Sequence, residues 1–162
     1  MTWHTLAEHG IAVHGPQPQR LRIHTDDAQL RAWTLANLND YWRRWADAVR
    51  GHSWMAVKAR WRRFSTWGVL GAPRLHYTIQ TGAIATKEAA ANHALEVFDP
   101  RWHTLIEDAV AFLHGDPAHD SYRDPVRRRR DSADFVGYVV KVAEQAATMR
   151  DASTGDIHRR VT

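Results

Sequence analysis

The amino-acid sequence predicts an all-α domain, an irregular bundle of five or six helices. Three observations carry that expectation. Apolar residues recur at three- and four-residue steps along most of the chain, the spacing of one buried stripe on a helix. No stretch shows sustained alternation of apolar and polar residues, the mark of a half-buried strand. The periodic segments break where Gly, Pro and Asp fall, at Gly51, Gly82, Asp99-Pro100 and Gly115.

The first element is a short apolar helix with Trp3, Leu6 and Ala7, followed by "HGIAVHGPQPQ", whose glycines and prolines read as a connector. "LRIHTDD" reads as briefly extended. Thr25 or Asp26 then caps a long helix reaching about Val49, with Leu30, Trp33, Leu38, Tyr41, Trp45 and Val49 on its apolar stripe; Gly51 ends it. A second helical region covers about 53–71, with Trp54, Val57, Trp61, Phe64 and Val69 as core candidates. Pro73 has no N–H for a helical hydrogen bond, so a kink or restart is expected there. The helix beyond it carries Leu75, Tyr77, Thr78 and Ile79 and stops near Gly82.

Thr86 caps an alanine-rich helix running from Lys87 to about Phe98. Asp99-Pro100, an acid cap before a proline at the first helical position, begins the next. Trp102, Leu105, Ile106, Ala109, Val110 and Leu113 form its stripe, and Gly115 closes it. "DPAHDSYRDP" reads as a loop. The last helix, about 131–149, is expected to bury Phe135, Tyr138, Val139, Val142 and Ala146. The chain thus divides into a short helix and connector (1–25), a helical domain (26–150) and a tail (151–162) expected to fray.

With 162 residues, 44% of them hydrophobic, the chain can bury the core of one domain. Eight tryptophans supply large apolar pieces, and the absence of cysteine excludes disulfides and thiolate metal sites. A cytoplasmic location is expected, because the N-terminus lacks the charged and apolar regions of a secretory signal. No apolar run approaches the roughly 18 residues of a membrane span, so a membrane is not an expected partner. The net charge of +4 comes from arginine, concentrated in "KARWRR" (58–63) and "RRRR" (127–130). Such clusters attract phosphates or nucleic acid, or are simply solvated helix faces. Arg60, Arg62 and Arg63 interleave with Trp54, Trp61 and Trp67, so a basic nucleic-acid-binding or regulatory module is one reading of the chain.

Eleven histidines form no H-E-x-x-H pair, and no metal site is expected; His114 and His119 flank a loop with Asp116 and Asp120 in an ordinary surface pattern. There is no G-x-S-x-G, P-loop or G-x-G-x-x-G, hence no complete catalytic set. One residue stands out. Lys87, in a first helical turn, opposes the helix macrodipole by roughly 0.3–1 kcal/mol. Either its side chain reaches out to solvent or an anion sits beside it.

The segment "VLGAPRLHYTIQTGAIATKEAAANHAL" resembles one of the form VL-x3-R-x2-Y-x3-TG-x4-K-x2-AA in the C-terminal helical domain of streptomycin/spectinomycin (aminoglycoside) adenylyltransferases. The resemblance continues without gaps through "FDPRWHTLIEDAVAFLHG", includes "NDYWRRWAD", and reaches back to "GIAVHGPQP", which is similar to the connector after that family's catalytic domain. It implies transfer of AMP from ATP to a drug hydroxyl, with ATP and Mg²⁺ as cofactors and the metal held by a nucleotidyltransferase domain. That domain's Gly-Ser and D-x-D motifs are absent from this chain, so no catalytic residue is assigned and a catalytic domain is expected in cis or in trans. The resemblance implies that Arg74 and Lys87 bind the nucleotide phosphates, and that Leu113 stands where the family has a nucleotide-holding aromatic. It places Trp42 and Asp47 at the site of a small-molecule hydroxyl acceptor. A second family acid falls on Gly51 or Phe64, after an inserted basic stretch of about 13 residues that disfavours a polycationic drug. As residues alone, Trp42 also reads as core, and Asp47 as a partner of Arg43 or Arg44.

Overall fold

The computed structural model describes the backbone of residues 2–116 and 120–159 and the side chains of 3–116 and 120–149. His119 therefore lies outside the described residues, as do 160–162 of the tail. The helices are α1 (Thr2–His9), α2 (Asp27–Asn37), α3 (Arg43–Arg50), α4 (Trp54–Lys58), α5 (Arg62–Thr81), α6 (Lys87–Val97), α7 (His103–Leu113) and α8 (Pro125–Arg159). No strand occurs among the described residues, and no helix is long and apolar enough to cross a membrane. The all-α expectation holds. α1 and α4 are short, and α2 and α3 join end to end, which leaves an irregular bundle built on α2–α3, α5, α6, α7 and α8.

α5 and α8 form its centre. Val69, Leu70, Ala72 and Ile79 of α5 meet Phe135, Val136, Val139, Val140 and Ala143 of α8, all buried. α3 adds Trp45 and Val49, α7 adds Leu105, Ile106 and Ala109, and α6 adds small residues, Ala91 and Ala94. α1 stays at the margin, where His4 approaches Asp27 at 3.7 Å.

The junction of α2 and α3 corrects the expected stripe. Residues Leu38–Trp42 form a π-helical turn, closed by the Arg43 N–H donating to the Leu38 carbonyl five residues back. This wider turn keeps Trp42 in line with Leu30, Thr34 and Leu38 on the buried face. Trp33 and Tyr41, expected inside, are half exposed instead.

Two further expectations fail for tertiary reasons. α5 runs unbroken through Pro73, which is itself buried between Ala72 and the His76 turn. Continuous burial of that face outweighs the lost backbone hydrogen bond, worth about 3 kcal/mol in an isolated helix. The 53–71 region is two elements, not one. α4 is a single turn that buries only Ala56, Ala59 follows it into the core, and the chain then changes direction. Trp54 and Trp61 are consequently 66% and 64% exposed, and Val57 is exposed as well.

α8 starts at Pro125 rather than near 131, capped by Asp124, whose carboxylate accepts from the Val126 N–H at 2.8 Å. Part of the Arg127–Arg130 cluster therefore faces the interior. Asp108 of α7, 2% exposed, accepts from Arg62 at 3.1 Å and from the Ser121 N–H at 3.0 Å, with Arg128 Nε 4.0 Å away. Arg128 is buried and donates to Asp120 at 2.6 Å and to the Tyr122 carbonyl. One buried carboxylate thus ties the start of α5, the 120–122 segment and the start of α8 to α7.

Removing it takes the carboxylate from the largely buried Arg62 and from the Ser121 N–H, while Arg128 keeps Asp120 and the Tyr122 carbonyl, a loss of about 1–3 kcal/mol. Asp108→Ala should lose stability on that scale in urea denaturation, and a change below about 1 kcal/mol would contradict the role given to this carboxylate.

Candidate nucleotide-phosphate site

The corner between α5 and α6 is assembled from local chemistry. Gly82 takes φ 80°, the left-handed conformation that glycine adopts without strain, and its N–H donates to the Thr78 carbonyl to end α5. The chain reverses, and Thr86 caps α6, its hydroxyl accepting from the Ala89 N–H at 3.1 Å. Arg74 reaches across the reversal and donates from Nε to the Ala85 carbonyl at 2.9 Å. The two positions matched to phosphate binding therefore meet at one corner, because Ala85 lies two residues before Lys87.

Both cations remain available there. Nε is one donor site of the Arg74 fork, and its terminal nitrogens have no hydrogen-bond partner among the described residues. Lys87 is half-buried at the first position of α6 and has no ion-pair partner among the described residues. Its neighbour Glu88 pairs with His114 at 3.5 Å, which brings the end of α7 beside the first turn of α6. Leu113, the residue before His114, is 40% exposed at that end. Arg74, Lys87 and Leu113 thus gather around the N-terminus of α6, where unpaired N–H groups and the helix dipole favour an anion.

Trp42 and Asp47 are not gathered in this way. Trp42 is 5% exposed and stacks on Trp67 with ring centroids 4.7 Å apart. It lines a groove of about 260 Å³ together with Trp33, Asn37, Tyr41 and Leu75. Asp47 opens onto a different groove, of about 600 Å³, between α3 and α8. Its carboxylate pairs with Arg50 at 3.2 Å, not with Arg43 or Arg44, which pair with Glu144 at 2.6 Å and Asp40 at 3.6 Å. Gly51 caps α3 and gives its carbonyl to Arg129, and Phe64 stacks near Trp45, so neither supplies a second acid. The other acid that lines this groove is Asp134. It accepts from Arg50 across the groove at 2.9 Å, a pairing that sequence reasoning missed. Asp134, Tyr138 and Lys141 line this groove at helical spacing, a signal that was present in the α8 pattern.

Beside the corner, His76 of α5 lies buried against His93 of α6, with ring centroids 5.7 Å apart. Burial, helped by the His93 charge, pushes the His76 pKa down from 6.5 to about 4. Its Nδ1 has no hydrogen-bond partner among the described residues.

These features define an all-helical domain with a basic helix-terminus corner. A family model described as the C-terminal domain of aminoglycoside adenylyltransferase matches residues 38–141, more than half of the chain, and the chain belongs to that family. The match begins at the π-helical turn, ends inside α8, and includes Trp42, Asp47, Arg74 and Lys87. No curated protein and no solved structure matches the chain.

The histidine pair yields a signed expectation. Between pH 6.5 and about 4 the unfolded chain takes up a proton that buried His76 refuses, so stability falls on acidification, by at most about 1.4 kcal/mol per pH unit from this group. Thermal denaturation across that window should show a shallower fall for His76→Gln than for the parent. Identical pH profiles would contradict the assignment.

Proposed function

We propose that this chain is the nucleotide- and acceptor-binding part of an adenylyl-transfer system. Arg74 and Lys87 hold the phosphates of Mg·ATP at the N-terminus of α6, and a nucleotidyltransferase domain, in cis or in trans, supplies the transfer chemistry. The observation that carries the reading is a pair of cations at one helix terminus, neither with a carboxylate partner among the described residues, at an energetic disadvantage for Lys87 that a bound polyphosphate would reverse. Membership of the aminoglycoside adenylyltransferase C-terminal family supports the same reaction class.

Magnesium does not fit this chain's own residues. No group of three His, Asp or Glu side chains converges among the described residues as a metal would need, so we assign the ion to the nucleotide and to the partner domain's carboxylates. What this chain contributes is charge and position. A guanidinium fork and an ammonium neutralise phosphate oxygens without adding a proton-transfer group.

For the acceptor, a small hydroxyl compound, we favour the α3–α8 groove with Asp47 and Asp134 as its acids. Trp42 then acts indirectly, by fixing α3 against α5. Arg43 and Arg50 already occupy Glu144 and both groove acids, so a polycationic aminoglycoside must displace them. An ATP-dependent role, with drug resistance as its outcome where the acceptor is an aminoglycoside, fits a cytoplasmic location.

Calorimetric titration of Mg·ATP into the chain and into Lys87→Ala, each followed by streptomycin, tests the reading. Nucleotide binding should weaken roughly 10- to 100-fold in the variant, the worth of one charge-assisted contact. Equal binding by both proteins, or no heat in either, would overturn the phosphate site. Adenylylation by the purified chain alone would overturn the need for a second domain.

A further inference from the structure

The two arginine clusters divide once their partners are known. Arg62 and Arg128 are committed to the buried Asp108, and Arg127 lies 3.6 Å from Asp131. Arg60 and Arg63 are exposed and make no ion pair among the described residues. They lie in a stretch without a single Asp or Glu between Asp47 and Glu88, so nothing along the sequence offsets them.

The fold then brings a second basic segment beside the first. Between α4 and the first turn of α8 runs a groove of about 260 Å³, where His52, Arg60 and Arg129 surround a floor of Ala56, Val57 and Val126. No carboxylate among the described residues lines it. Arg129 forms its wall by donating to the Gly51 carbonyl at 3.2 Å. α4 and the turn after it carry Trp54 and Trp61, both close to two-thirds accessible. Lys58 lies 5.8 Å from the Trp54 ring, so cation and indole present one surface.

We propose that this α4–α8 face binds single-stranded nucleic acid, a function separate from the ATP corner. Guanidinium groups along a groove track a phosphate backbone, and flat exposed indoles accept unstacked bases regardless of sequence. A duplex fits the face poorly, since α4 is a single turn and cannot fill a major groove. An acidic polypeptide would use the cations but has no use for two exposed rings. The proposal does not rest on nucleotide binding at Arg74 and Lys87.

Fluorescence anisotropy of a labelled oligothymidylate of about 12 nucleotides, titrated with the whole chain at about 50 and about 200 mM salt, tests it. Binding should be evident at the lower salt and fall steeply at the higher. Replacing Lys58 and Arg60 together by Ala should reduce the log–log salt slope by about 1.4, two contacts' worth on a single strand. Trp54→Ala and Trp61→Ala should each weaken binding roughly fivefold or more, and both are surface changes compatible with folding. Lys87→Ala should leave the affinity unchanged, which separates this face from the ATP corner. No anisotropy change at the lower salt would overturn the proposal. So would binding that survives both tryptophan replacements and is competed equally by polyglutamate, which would assign the face to an acidic polypeptide.

Discussion

The contact on which the rest of the structure depends is a pair of indoles standing over a pair of glycines. Trp45 covers Gly68 and Trp42 covers Gly71, so closely that a Cβ at either glycine would overlap the ring. Both pairs are spaced three residues apart, and the ridge of one helix therefore enters the notch of the other. Trp67 and Phe64 extend the stack on the same side of α5. With α3 held this close, α8 packs against both helices and closes the core. Arg74, three residues beyond Gly71, is then carried to the end of the bundle where α5 reverses into α6, and there it meets Ala85. The candidate phosphate corner is a consequence of how α5 is seated.

That dependence explains what the sequence could and could not disclose. Ends set by local chemistry were legible: the Asp26 cap, the glycine stops at 82 and 115, the Thr86 cap and the Asp99-Pro100 start. Features set by distant packing were not. The π-helical turn serves the fit of Trp42 to Gly71, and nothing in residues 38–42 alone demands it. Pro73 stays inside a helix because neighbouring helices bury that face, a tertiary override of a strong local preference. Asp124-Pro125 carries the same start signal as Asp99-Pro100, but the four arginines that follow suggested solvent rather than a helix with a buried side.

The site shows the same division. Lys87 stood out because a first-turn cation is locally unfavourable, and Arg74 entered through the resemblance to adenylyltransferases. Their meeting depends on a side chain crossing eleven residues to a backbone carbonyl, which no periodicity encodes. The bridge from Asp47 through Arg50 to Asp134 spans 84 positions between Arg50 and Asp134 and was invisible for that reason. The arginine clusters had looked uniform, yet one of their members lies buried beside Asp108 while others stand free in solvent.

Backbone amide NMR of the chain during a Mg·ATP titration tests the central claim most directly. The largest shifts are expected at the amides of Lys87 and Glu88 and at the terminal guanidinium N–H groups of Arg74, since phosphate oxygens would sit against those groups. Shifts concentrated elsewhere, with the first turn of α6 unmoved at saturation, would contradict it.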